Sequence, residues 1–328
     1  MASENIYSRI KNYGIIPEVK IKEAANAVPL AETLVSVGLD IAEIDLGVQY
    51  AERSIQRIAD IYPDMLLVAG NAATEDQVKS AIDSGAKAVA SLGPFKNAAA
   101  YCVKNGIPAI VECENAKDIK KAADAGAEAV KCVVADNNAG MEKLNKLTSE
   151  YPGLKFVLRG EITENNLADC LLCEGAIACG MSVICEENDI SAREFGKIKY
   201  LASRAIYKML GFEFAHVVIN CENTEQADRD SSKVESIFGL KKTDGENSVS
   251  NAGILHFTKH RSYGKNGQIA LSTNFMDRAV FYLKKGGKEF IDESARFNEK
   301  DELVSVYLDS IIGGFAFKLI NKRIKEQV

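Results

Sequence analysis

The chain has 328 residues, 47% of them hydrophobic and 26% charged, which is enough to bury the cores of two domains. No apolar run approaches the ~20 residues of a membrane helix, and the opening MASENIYSRI has no signal-peptide pattern, so a soluble cytoplasmic protein without membrane contacts is expected. The net charge of -6 is carried by residues 1–210 (23 Lys and Arg against 29 Asp and Glu), while residues 211–328 balance at 17 against 17; neither part has the basic footprint of a nucleic-acid binder.

Residues 1–210 alternate short apolar runs with amphipathic stretches. Strands are expected over 15–21, 41–46, 65–71, 88–93, 109–113, 129–134, 155–160 and 176–181. Between them, segments such as AANAVPLAETLVSVG and VQYAERSIQRIADIY carry apolar residues at i, i+3, i+4 and i+7. Glycines at 38, 85, 106, 126 and 175 stand where helices need a left-handed cap. Eight βα units in about 200 residues is the count of a (β/α)8 TIM barrel, at the small end of its size range. An open doubly wound sheet is the competing arrangement, but it rarely needs eight regular units.

Functional groups of such a barrel gather at the C-terminal ends of the strands. Polar residues fall there in nearly every strand: Glu18 and Lys20, Glu43 and Asp45, Asn71, Glu112, Lys131, and Arg159 with Glu161. Lys131 interrupts the apolar run AVKCVV, so its ammonium is expected in a dry place. Desolvation lowers a lysine pKa, and a neutral amine can form a Schiff base with a carbonyl. The competing reading is a buried ion pair, with Lys131 held by carboxylates of neighbouring strands. Glu43 follows Ile41 and Ala42 in an apolar strand and is expected to be buried as well. A carboxylate converging on a lysine is what Schiff-base chemistry requires: one attacks the carbonyl, the other moves protons.

Eight cysteines are present. Most sit in apolar strands or helices, where buried free thiols are the default of a reducing compartment. The Cys170-Leu-Leu-Cys173 pair has no second CxxC or nearby His to complete a zinc set, so no metal is expected.

The stretches GIIPEVKI, AVPLAETLVSVGLDIAEIDL, VAGNAATEDQV, SLGP, NGIPAIVE, AEAVKCVVADNNAG and RGEI together resemble the 2-keto-3-deoxy-6-phosphogluconate / 4-hydroxy-2-oxoglutarate aldolases, from about residue 13 to 190. The resemblance implies a class I lyase on a (β/α)8 barrel, working without a cofactor, cleaving a 2-keto acid to pyruvate and an aldehyde, and assembling as a homotrimer. In register, Lys131 falls on the family's Schiff-base lysine and Glu43 on its catalytic glutamate. Substrate binding is expected to involve Arg159, Asn71, Lys20, Glu112, Glu161, Gly160 and Gly180. The departures are specific. Gly47 stands for an arginine, Asn71 for a threonine, Leu92 for a proline and Val133 for a phenylalanine. Gly160-Glu161 and Cys179-Gly180-Met181 stand where the family binds phosphate with paired glycines and a serine. Glu112 replaces a glycine, and Asp136 stands for a glutamate. The chemistry pair is kept while the anion-binding groups are eroded. An alternative is therefore a diverged, non-catalytic homologue that binds a small ligand or assembles through its C-terminal domain.

The pattern changes at Gly211. FEFAHVVINC, the helical EQADRDSSKVESIFG and LKKTDGENSVSNAGILHFTKH form one unit. GQIALST, FMDRAVFYLKKGG, ARFNEKDELVSVYLDS and GGFAFKLIN form a second of the same outline, about 50 residues later. This βαβββ repeat resembles the vicinal oxygen chelate fold of glyoxalases and dioxygenases, giving domains 1–210 and 211–328. The family's metal positions fall on His216, His256, Gln268 and Lys318. With no carboxylate and an ammonium among them, that set is expected to form a pocket rather than a metal site.

Overall fold

The computed structural model describes residues 5–93, 97–134 and 138–324; Asp136, singled out above, lies outside them. The chain divides into two compact units, Met1–Met209 and Leu210–Val328. Among the described residues no helix is long and apolar enough to cross a membrane.

The first unit is a closed barrel of eight parallel strands in sequential order: β1 (Ile15–Val19), β2 (Ile41–Asp45), β3 (Leu66–Ala72), β4 (Ala88–Ser91), β5 (Ala109–Cys113), β6 (Ala129–Val134), β7 (Lys155–Gly160) and β8 (Ala176–Met181). β8 pairs back onto β1, with Ile15 beside Cys179 and Pro17 beside Met181. Strands buried on both faces need near-continuous apolar runs, and Leu66–Ala69 of β3 is entirely buried. Between strands, helices turn one apolar stripe inward. Helix Ala51–Ile61 buries Ala51, Ser54, Ile55 and Ile58. Helix Glu75–Asp83 begins with a capping box in which Thr74 and Gln77 satisfy each other's backbone N–H groups. Helix Ile6–Tyr13 lies at the N-terminal end of β5, where the Tyr7 hydroxyl donates to the Ala109 carbonyl and accepts from its N–H, both at 3.0 Å. Burial pushes that phenol up to about 12.

Three expected strands are shorter in the structure: β1, β4 and β2, the last expected over 41–46 and ending at Asp45. Pairing of β1 ends at Val19 and of β4 at Ser91, so Lys20 and Leu92 lie on the connections that follow.

In the second unit the order is β9 (Glu213–Asn220), a helix Thr224–Phe238, β10 (Lys242–Asp244), β11 (Ser248–Asn251) and β12 (Leu255–Thr258). It then repeats as β13 (Gly267–Thr273), a helix Met276–Lys285, β14 (Phe290–Phe297), β15 (Leu303–Ile312) and β16 (Phe315–Asn321). One eight-stranded sheet results, ordered β10-β11-β12-β9-β13-β16-β15-β14. The halves meet at the antiparallel β9–β13 pair, and each first strand pairs in parallel with the last strand of its own half. In the first half, Cys221, Ala227, Val249 and Phe257 form a small core. Beside it the fully buried Asn251 accepts from Ser231 Oγ at 2.7 Å and donates to the carbonyls of Ser231 and Leu240. A buried amide so fully partnered carries no desolvation penalty for an unmade bond.

All eight cysteines are free and buried. Burial pushes the thiols of Cys102 and Cys173 up to about 11 and those of Cys113 and Cys132 to about 12. Because the thiolate is the reactive form, Ellman's reagent is expected to titrate only traces of thiol in the native protein and all eight in denaturant. Fast stoichiometric labelling of the native chain would contradict this.

Candidate active site

A cavity of about 460 Å³ opens at the C-terminal ends of the barrel strands. Its floor is set by the strand register. Glu18 and Glu43 are neighbours across β1–β2, and Glu112 and Lys131 across β5–β6. Side chains of a barrel strand alternate between interior and helix layer. A lysine on β6 can reach carboxylates on β1 and β2 only through the interior, and Lys131 does so. Its Nζ donates to Glu43 Oε1 at 2.7 Å and Oε2 at 2.8 Å, and forms an ion pair with Glu18 Oε1 at 2.5 Å. Lys131 is 3% exposed and Glu43 6%. The buried ion pair weighed from the sequence is therefore present, with two carboxylates on one ammonium.

Two glycines make room for this arrangement. A Cβ on Gly70 of β3 would stand 2.8 Å from Glu43 Cγ, and one on Gly180 of β8 would stand 2.9 Å from the Glu18 carboxyl carbon. The space where strands β3 and β8 lack side chains is filled by the two carboxylates.

Electrostatics here correct the expectation of a lowered lysine pKa. Burial does push Lys131 down, but the adjacent Glu43 and Glu18 charges and their hydrogen bonds outweigh it, and the ammonium is held above its ordinary value. Glu43 moves up as well: burial raises it, the Lys131 charge opposes, and the like charge of Glu18 adds to the rise. One cation between two carboxylates leaves an excess negative charge in a dry place, and a proton shared onto Glu43 removes it.

Around this core the structure brings together Lys20, Asn71 and Arg159 as cavity lining. Lys20 Nζ stands 3.8 Å from Asp45 Oδ2, whose other oxygen accepts the Gly47 N–H at 2.7 Å. Asn71 adopts a left-handed backbone, φ 59°, which asparagine tolerates better than most residues. Arg159 is ion-paired with Glu112 and so is already partnered at the cavity wall. Other sequence candidates lie elsewhere. Gly160 and Glu161 are exposed at the end of β7, outside the cavity lining, and the Glu161 carbonyl accepts from Asn166 Nδ2 at 2.9 Å. Gly180 is buried within β8 against Glu18.

Sequence reasoning missed the wall formed after β8 by Ser182, Val183, Cys185, Glu186 and Glu187. Its position after a barrel strand was the available signal, but no residue there stands out by type. Glu187 is ion-paired with Lys22. Among the described residues of the lining, five carboxylates face three cations.

In the second unit, His216, Gln268 and Lys318 line a common cavity, whereas His256 is not among its lining residues. The His256 ring lies 5.0 Å from that of His216 and its Nε2 meets the Gly253 carbonyl at 3.2 Å. Burial pushes this imidazole below its ordinary value. Among the described residues no three His, Cys, Asp or Glu side chains are grouped to hold a metal ion.

Comparison with known proteins adds to this geometry. A family profile described as KDPG and KHG aldolase matches residues 6–201. The 2-dehydro-3-deoxy-phosphogluconate aldolase of Treponema pallidum is 29% identical over 201 residues, covering 61% of this chain and 96% of that protein. The protein of the same name from Haemophilus influenzae is 28% identical over 204 residues, covering 62% and 96%. Among solved structures, KDPG aldolase from Legionella pneumophila, with pyruvate captured as a covalent carbinolamine intermediate, superimposes with a TM-score of 0.56 at 23% identity, covering 61% of this chain and 98% of that one.

Proposed function

The chain belongs to the KDPG and KHG aldolase family, and from that premise we propose that it is a class I aldolase in which Lys131 forms a Schiff base with a 2-keto acid and Glu43 moves the protons, releasing pyruvate and an aldehyde. The observation that carries this reading is the buried Lys131 ammonium held by both oxygens of Glu43 at the mouth of the barrel.

The chemistry follows from that contact. Lys131 gives a proton to a neighbouring carboxylate, and the neutral Nζ attacks the C2 carbonyl of the substrate. Glu43, raised by burial and so readier to hold a proton than an ordinary carboxylate, protonates the departing hydroxyl of the carbinolamine, and water leaves. The resulting iminium draws electrons from the C3–C4 bond while a carboxylate takes the proton of the C4 hydroxyl. The aldehyde departs, the enamine is reprotonated at C3, and water releases pyruvate and the free lysine.

The lining supports a substrate without a phosphate tail. A phosphorylated keto acid carries about three negative charges near neutral pH. Like charges at close range cost on the order of a few kcal/mol per pair at an effective dielectric constant of about 20. Asp45 and Glu186 line the cavity, and Arg159 is already taken by Glu112. The phosphorylated 2-keto-3-deoxygluconate is therefore expected to show a KM at least about tenfold above that of its unphosphorylated counterpart, a difference of about 1.4 kcal/mol. Saturation by the phosphorylated compound at micromolar concentration sinks this expectation.

Borohydride trapping tests the reading itself. The protein is incubated with pyruvate, reduced, and its peptides weighed. An adduct on the peptide holding Lys131 supports the proposal. Absence of an adduct with pyruvate and a panel of 2-keto acids overturns it. It would favour a second reading that the raised Lys131 pKa also supports: an inert ion pair in a non-catalytic homologue. The duplicated βαβββ order of Leu210–Val328 supports reading that unit as glyoxalase-like, and we place a trimeric assembly and a cytoplasmic site of action with the family resemblance.

A further inference from the structure

The cavity of the second unit, about 1160 Å³, has a consistent chemical character. Its base is built on three strands. The Tyr307 hydroxyl of β15 donates to Gln268 Oε1 of β13, and Gln268 Nε2 donates to Ser262 Oγ, so both ends of that amide are engaged. Lys318 of β16 holds its Nζ 5.3 Å from the centre of the Tyr307 ring, and the Tyr263 ring stacks on Tyr307 with centroids 4.4 Å apart and planes 30° from parallel. Tyr263 keeps 45% of its surface exposed and Phe297, also in the lining, 57%.

The rim is basic. Arg261 and Arg296 are exposed lining residues, and neither has a carboxylate partner among the described residues; Arg296 donates only to the carbonyls of Glu293 and Ala295. Among the described residues of the lining, Glu299 is the only carboxylate, against Arg261, Arg296 and Lys318. A metal ion does not suit this place, because the Gln268 oxygen already accepts a hydrogen bond and the Lys318 ammonium in the lining repels a cation. An anion does suit it. Guanidinium groups bind carboxylates and sulfonates through paired N–H donors, and exposed aromatic faces beside them receive a flat ring.

We propose that the cavity of the second unit is a metal-independent binding site for a planar aromatic acid, its ring against Tyr263 and Phe297 and its acidic group at Arg261, Arg296 and Lys318. This assignment does not depend on the chemistry of the barrel.

The test is a fluorescence titration of the full-length protein with 8-anilinonaphthalene-1-sulfonate in EDTA, beside its uncharged counterpart N-phenyl-1-naphthylamine. One saturable site per chain is expected, insensitive to EDTA. Because charge-assisted hydrogen bonds are lost, Arg261→Ala/Arg296→Ala should weaken the sulfonate at least about tenfold. The neutral probe should bind wild type no better than the sulfonate binds that variant. Both arginines are exposed, so the variant is expected to keep the wild-type melting temperature; Lys318→Met gives an independent reading from inside the cavity. The proposal is overturned by absence of saturable binding, by equal affinity for the neutral probe, by loss of the site in EDTA, or by wild-type affinity in both variants.

Discussion

Lys131→Ala is expected to lose all pyruvate incorporation on borohydride reduction and to destabilise the protein by about 3–5 kcal/mol, because removing one partner of a buried pair strands the other charge. Here two carboxylates are stranded at once, facing each other across β1 and β2. The loss should depend on pH in a defined direction. Glu43 already lies above its ordinary value in the intact site, and without the ammonium it rises further. A carboxyl raised in the folded state binds a proton that the unfolded chain has released, so the variant should be least impaired near pH 5 and progressively worse toward pH 8. For the wild type the lysine contribution has the opposite window: with its folded pKa raised, that stability is complete below the ordinary lysine value of 10.5 and is lost as pH rises through the folded one. Urea melts of the variant at pH 5 and pH 8 measure the first effect, and melts of the wild type above pH 10.5 measure the second. The triple variant Lys131→Met, Glu18→Gln, Glu43→Gln, which leaves no stranded charge, should regain most of the stability while remaining unable to form the adduct. Equal stability of Lys131→Ala and wild type at pH 8 would falsify the buried-pair account.

Glu18→Gln is expected to change reactivity more than stability. Glu18 is the more exposed of the two carboxylates on Lys131, its side chain 25% accessible. An adjacent opposite charge holds a titratable group in its charged form by about 1–3 pKa units. Removing the charge while keeping the shape should lower the Lys131 pKa, raise the fraction of neutral amine at pH 7, and move the pH profile of trapping down by about one unit. Gly180→Ala should act in the same direction by another route, since its Cβ would stand 2.9 Å from the Glu18 carboxyl carbon and must displace it. Single-turnover trapping against pH, read beside steady-state cleavage, separates imine formation from carbon–carbon scission. A trapping profile unmoved in both variants would mean that Glu18 does not govern the protonation of Lys131.

The barrel was legible because its signals are local and repeated. Apolar runs such as Leu66–Ala69 and amphipathic stretches with a three-to-four residue period recur eight times, and each obeys the same burial rule. The duplicated βαβββ units were legible for the same reason. Strand ends were less so: Lys20 is apolar-flanked in sequence, yet hydrogen bonding of β1 stops at Val19.

The site divides in a similar way. Lys131 and Glu43 stood out because a charge inside an apolar strand needs either a chemical role or an ion-pair partner, and both readings were open in one dimension. The wall after β8 did not, since Ser182 through Glu187 looks like any polar connection until the barrel closes beside it. The His256 ring likewise shares a strand pattern with pocket residues but is turned to His216 and the Gly253 carbonyl.

Residue order alone thus determined two units, the first an eightfold βα barrel, and a lysine and a glutamate set inside apolar strands, because periodicity and burial are properties of single segments. Only the tertiary structure decided the protonation state of that lysine. Burial by itself lowers an ammonium pKa, and the sign reversed because Glu18 and Glu43, 113 and 88 residues away along the chain, close to within hydrogen-bonding distance of one Nζ in the spaces left by Gly180 and Gly70.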